Sequence, residues 1–170
     1  MKILRLDTMA TALVKVGDSL EELEIHRETI AAYSRGDYDP PDIILQGTLA
    51  QLSQMRRLRR LHVPWAFVIG SDSYFTTGHI GPALPHNLEH LTLAEGFIDT
   101  DESDDRDEDM ISSFTVELES GVMSHLRDLQ SVCLPWSCYR RGISDTVREK
   151  RDRLGARFNL VLTNESGPSA

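Results

Sequence analysis

Residues 56–65 read RRLRRLHVPW and residues 87–93 read NLEHLTL, and the two share apolar side chains at positions p, p+3 and p+5: Leu58, Leu61 and Val63, then Leu88, Leu91 and Leu93. The pattern recurs in SLEELEIH (Leu20, Leu23, Ile25) and in DLQSVCLPW (Leu129, Val132, Leu134). A fifth copy, Met1, Leu4 and Leu6, opens the chain. The copies start at 1, 20, 58, 88 and 129, so the repeat is irregular and carries insertions. Val63-Pro64-Trp65 and Leu134-Pro135-Trp136 extend the likeness between two copies 71 residues apart. Repetition on this scale identifies a structural unit that is used several times.

Within each copy the last two apolar residues are two apart, which is strand spacing. The segments between copies show helical spacing. Met9, Leu13 and Val16 form a stripe that ends at Gly17, a candidate C′ glycine. Thr48 and Gln51 make a capping-box pattern ahead of Leu49, Leu52 and Met55. Met110, Phe114, Leu118, Val122 and Leu126 recur every four residues and predict a helix over 110–126. Residues 144–158, SDTVREKRDRLGARF, predict a charged outer helix with the narrow stripe Val147, Leu154 and Phe158, followed by a strand over 158–162.

Strands joined through helices run parallel, and one strand-helix unit cannot bury its apolar face alone, so successive units stack. The expected fold class is therefore α/β: an irregular solenoid with a parallel sheet on its concave face and helices and loops on its convex face. Leu4, Leu23, Leu61, Leu91 and Val132 would occupy equivalent buried positions. The residues at p+2 and p+4 would point out of the sheet as a partner-binding surface: Glu22, Glu24, Arg60, His62, His90, Thr92, Ser131 and Cys133. One repeat domain would span 1–163, with an acidic loop insertion at 99–109, and a polar tail would occupy 164–170.

These copies resemble leucine-rich repeats, and the phrases LPHNLEHLTL and LRDLQSVCLPW resemble the C-terminal repeat region of fungal F-box-type proteins. The resemblance covers most of the chain. It implies that the repeats select substrates for a cullin-type ubiquitin ligase, whose adaptor is reached through a separate F-box module. The first copy opens at Met1, so no F-box is expected within these 170 residues. The alternative is a stand-alone repeat scaffold or inhibitor unrelated to ubiquitin. An opening repeat without a polar cap predicts a chain that belongs to a longer architecture and self-associates or dissolves poorly by itself.

Composition narrows the remaining classes. The 170 residues are 40% hydrophobic and 26% charged, sufficient for a core without disulfides or metals. Eighteen Lys and Arg against 27 Asp and Glu give a net charge of −9, which opposes sequence-independent binding to nucleic acid or anionic lipid. No apolar run reaches the length of a membrane span. Two cysteines, Cys133 and Cys138, are too few for a disulfide framework and fit a reducing compartment, cytoplasmic or nuclear. Their C-x4-C spacing reads as reduced thiols rather than as a redox pair. The expected partner is a protein, with the ligase adaptor engaged only if an F-box is supplied upstream.

Signals for chemistry are weak. The run 99–109 holds eight acids and one arginine but lacks the glycine and the closing glutamate of an EF-hand loop. No nucleophile elbow, P-loop, dinucleotide fingerprint or H-E-x-x-H motif occurs, and Gly78-His79-Ile80-Gly81 lacks the strand-to-helix context that would cradle phosphate. The expectation is a non-enzyme without cofactor or metal, in which His62 and His90 face one another across neighbouring strands. Trp65 and Trp136, equivalent in the repeat, are expected to pack at the rim of the sheet, or to act as interface anchors if exposed.

Overall fold

The structure, a computed structural model, describes residues 2–26, 43–69, 79–94, 104–134 and 145–164. Trp136, Cys138, residues 99–103 and most of the tail lie outside them. The chain is mixed α/β. Strands β2 (Glu22–Glu24), β4 (Arg60–Pro64), β5 (His90–Ala94), β6 (Ser131–Leu134) and β7 (Val161–Asn164) form a five-stranded sheet, parallel throughout and ordered as in the sequence. Its register is the one that the repeats predict: Leu23, Leu61, Leu91 and Val132 are successive Cα partners, and Leu162 continues the row. Leu61, Leu91 and Val132 are at most 1% exposed, whereas Leu23 and Leu162 at the two ends of the row are half-buried and pack against the same core.

The opening copy departs from this scheme. Leu4 is in β1 (Lys2–Arg5), which pairs with Leu45 of β3 (Ile43–Gln46) in a separate two-stranded parallel sheet. At p+5 the chain is already helical, since Leu6 begins α1 (Leu6–Val14) and is fully buried there. The motif therefore matches in letters and differs in backbone. Strand β3, with its continuous run Ile43, Ile44, Leu45, carries the uninterrupted apolar signal common in parallel sheets.

Between strands the expected α-helical spacing gives way to tighter turns. Leu49, Leu52, Met55 and Leu58 are all buried and fall every third residue, the period of a 3₁₀ helix. The backbone follows: Leu52 N–H donates to Leu49 C=O at 2.9 Å, Met55 to Leu52 at 2.9 Å and Leu58 to Met55 at 3.3 Å. Met123, Leu126 and Leu129 repeat the device before β6. Thr48 Oγ1 accepts from Ala50 N–H at 3.3 Å, but Gln51 turns away to accept from the Thr11 hydroxyl, so no reciprocal capping box forms. Gly17 is not left-handed either. It is needed for closeness, because a Cβ there would lie 3.1 Å from Val14 O and 3.2 Å from Met55 Cγ.

The helix expected over 110–126 runs instead from Asp104 to Glu119 as α3. Residues 104–109, expected in an acidic loop, form its first turns, where negative charge is favoured by the helix dipole. Gly121, at φ +78°, follows as the left-handed residue that ends the helix. Between β6 and β7 lies the charged helix α4 (Asp145–Phe158), which leans on α3 through the Arg157–Glu119 ion pair. Asn159, at φ 52°, turns the chain into β7. The short helix α2 (Trp65–Ile69) starts at Trp65, which is buried.

One buried charge ties these layers together. Glu117, on α3 and 2% exposed, accepts from Ile80 N–H at 2.8 Å and from Gly81 N–H at 2.7 Å. Gly81 opens a 3₁₀ turn over 81–83 that precedes β5. A Cβ on Gly81 would stand 3.0 Å from Met123 Cγ and 3.1 Å from Glu117 Oε2, so a side chain there would require these neighbours to give by a few tenths of an ångström.

Leu61→Ala or Leu91→Ala should each destabilise the chain by about 2–5 kcal/mol in chemical denaturation, as for a truncated core leucine. Glu24→Ala, at an exposed position, should be nearly neutral to folding. Similar losses at both kinds of position would contradict the assignment of faces. Glu117→Ala leaves two buried N–H groups without an acceptor, and at about 1–3 kcal/mol each it should destabilise by about 2–6 kcal/mol.

Candidate functional site: the polar face of the sheet

Alternation along a strand sends every second side chain to the same face. With the leucine row buried, the other face carries two rows across the sheet. The first is Glu22, Arg60, His90, Ser131 and Val161, and the second is Glu24, His62, Thr92, Cys133 and Thr163. All eight residues expected on this face therefore share it. Glu22, Glu24 and Arg60 are exposed, whereas His62, His90, Thr92, Ser131 and Cys133 are half-buried. A third pair on the same alternation, Pro64 and Ala94, is buried.

Cross-strand neighbours on this face satisfy one another in a specific way. Arg60 Nε meets Glu22 Oε1 at 3.1 Å. His90 Nδ1 lies 2.7 Å from Ser131 Oγ, a hydrogen bond across β5 and β6. The Cys133 thiol lies 3.9 Å from Leu134 O. His62 and His90 are not cross-strand partners, because the register sets Arg60 opposite His90 and Thr92 opposite His62.

The densest group gathers at the first strand. Glu24 stands opposite His62, and His26 follows two residues later along the same alternation. Ile25 N–H donates to His62 C=O at 2.8 Å, which fixes the chain beyond β2 against β4. His26 Nε2 lies 3.0 Å from Glu24 Oε2, and the His26 and His62 rings meet edge to face with centroids 4.6 Å apart. One ligand atom from each of Glu24, His26 and His62 lies within 4.8 Å of the others, the single such group of histidines, cysteines and carboxylates among the described residues. Sequence reasoning missed His26 because the surface positions were taken to end at p+4. The alternation Glu22, Glu24, His26 in ELEIH was the available signal.

The hydrogen bond from His26 holds the Glu24 carboxyl below the ordinary glutamate range, helped by the positive fields of His26, His62 and Arg60. A lowered carboxyl pKa stabilises the fold above the ordinary value and loses that contribution as pH falls through the lowered one.

No family model, no curated protein and no solved structure matches this chain. Among the described residues no helix is long and apolar enough to cross a membrane.

Carboxyl-resolved NMR titration should place Glu24 below the ordinary glutamate value of about 4.3. His26→Ala should move it upward, towards that value. A Glu24 pKa unchanged by His26→Ala would show that the hydrogen bond is not the cause.

Proposed function

We propose that this chain is an irregular leucine-rich-repeat solenoid that binds another protein on the polar face of its five-stranded sheet, and that it serves as the substrate-recognition part of an F-box-like ubiquitin-ligase receptor or as a remnant of one. The observation that carries the binding reading is the character of that face. Parallel sheets are ordinarily covered on both sides by apolar contacts. Here the two rows from β2 to β6 are charged or polar and remain exposed or half-exposed. Their polar groups already meet across strands, at Arg60–Glu22 and His90–Ser131, so the surface is ordered before any partner arrives. Such pre-organisation lowers the cost of association.

Support for the solenoid comes from the strand order, which equals the sequence order, and from the single register running through all five strands. The ubiquitin connection rests on the resemblance of the repeat phrases alone. The mixed signs of the face, with Glu22 and Glu24 on one strand and Arg60 and His62 on the next, suit a partner that presents both charges.

The test is affinity capture with crosslinking, using the chain alone and the chain fused behind an F-box module. Partner crosslinks should map to the face from Glu22 to Cys133. Arg60→Glu combined with His90→Glu should reduce capture at least about tenfold, equal to about 1.4 kcal/mol, with an unchanged circular dichroism spectrum. Adaptor and cullin should appear only with the fusion. Crosslinks confined to other surfaces would refute the face, and partner capture without ligase components in the fusion would leave a stand-alone scaffold.

A further inference from the structure

We infer that Glu24, His26 and His62 form a binding site for one divalent transition-metal ion of the zinc type, at the β2 edge of the polar face. The donor set supports this class of ion. Two imidazoles and one carboxylate suit zinc, nickel, copper or cobalt, whereas calcium and magnesium prefer oxygen ligands alone. Three protein donors leave a further position for water, the arrangement of an open rather than a closed zinc site.

The geometry comes close to what coordination requires. With metal–ligand bonds of about 2.0–2.1 Å, neighbouring ligand atoms of a tetrahedral site lie about 3.3 Å apart. Glu24 Oε2 and His26 Nε2 are 3.0 Å apart, and the whole set of donor atoms lies within 4.8 Å. The exposed side chains of Glu24 and His26 can rotate towards the half-buried His62 ring without any change in the strands. The backbone that presents the donors is fixed twice, by the pairing of Glu24 with His62 and by the bond from Ile25 N–H to His62 C=O. The nearby cation Arg60 is ion-paired with Glu22, which offsets its repulsion of an incoming metal.

A second imidazole pair provides an internal contrast. The His86 and His125 rings also meet edge to face, with centroids 4.9 Å apart. Both ring nitrogens of His125 lie near backbone carbonyls, Nδ1 at 3.1 Å from Val122 O and Nε2 at 3.4 Å from Leu84 O. No carboxylate or thiol completes a ligand group there among the described residues. Proximity of two imidazoles is thus shared by both pairs, whereas the carboxylate is specific to the site at Glu24.

This inference depends on the register of β2 and β4 and not on any protein partner, and its test uses the isolated full chain. Calorimetric titration with zinc chloride near pH 7.5 should show one ion bound per chain. His26→Ala and His62→Ala should each weaken binding by more than about tenfold, since loss of even an outer-shell partner commonly has that effect. His86→Ala and Cys133→Ser should leave it unchanged. Imidazole NMR signals of the unaltered chain should shift on adding zinc at His26 and His62 and not at His86 or His125, which decides the matter if a variant fails to fold. Binding that persists in both alanine variants, or that disappears in His86→Ala or Cys133→Ser, would overturn the assignment. Shifts confined to other histidines, or no binding at all, would do the same.

Discussion

The five-stranded sheet depends on one recurring backbone arrangement. The carbonyl just before β2, β4 and β5 accepts two N–H groups from the next unit: Glu21 O from Arg59 and Arg60, Arg59 O from Glu89 and His90, Glu89 O from Gln130 and Ser131, whereas before β6 Gln130 O accepts from Val161 alone among the described residues. The bonds span 2.8–3.2 Å. A parallel strand could slide by two residues and keep its alternation of faces. The shared acceptor at the strand entrance marks where the neighbouring strand starts. Everything on the polar face inherits its position from that entrance, including the opposition of Glu24 and His62 and that of His90 and Ser131.

The repeat explains how much could be read from the sequence. Leu23, Leu61, Leu91 and Val132 share a register because spacing two apart within each copy is a strand signal that short-range packing enforces. The same letters at Met1, Leu4 and Leu6 mislead, since Leu6 is buried just as well from a helix as from a strand. Burial alone does not distinguish the two. The intervening segments were harder for a related reason. Apolar residues at i and i+3 satisfy an α-helical stripe over a single turn, and only the sustained step of three in Leu49, Leu52, Met55 and Leu58 marks a 3₁₀ path. The extent of α3 was legible in principle, because Gly121 interrupts the stripe drawn through Leu126.

The surface residues show a sharper division. Which side chains share the polar face follows from alternation once the register is known, and so the eight positions from Glu22 to Cys133 were accessible from the sequence. The same repeat alignment sets Arg60 rather than His62 across from His90, so the expectation that the two histidines face one another ran against the register itself. His26 lies beyond the end of β2; the alternation of ELEIH sets it on the side of Glu22 and Glu24, and the bond of Ile25 to His62 holds it in the group.

The carboxylate of Glu117 has a consequence for how the sequence can vary. Its two acceptor bonds to Ile80 and Gly81 resemble an anion seated on a small backbone nest, except that the anion belongs to the chain itself. Position 117 supplies an acceptor of the right reach, and the bare position 81 leaves room for it. The two residues constrain one another. A substitution at either makes the other a liability, so changes at the two positions would be tolerated mainly as a concerted pair, and the two sites should show strong epistasis although they lie 36 residues apart.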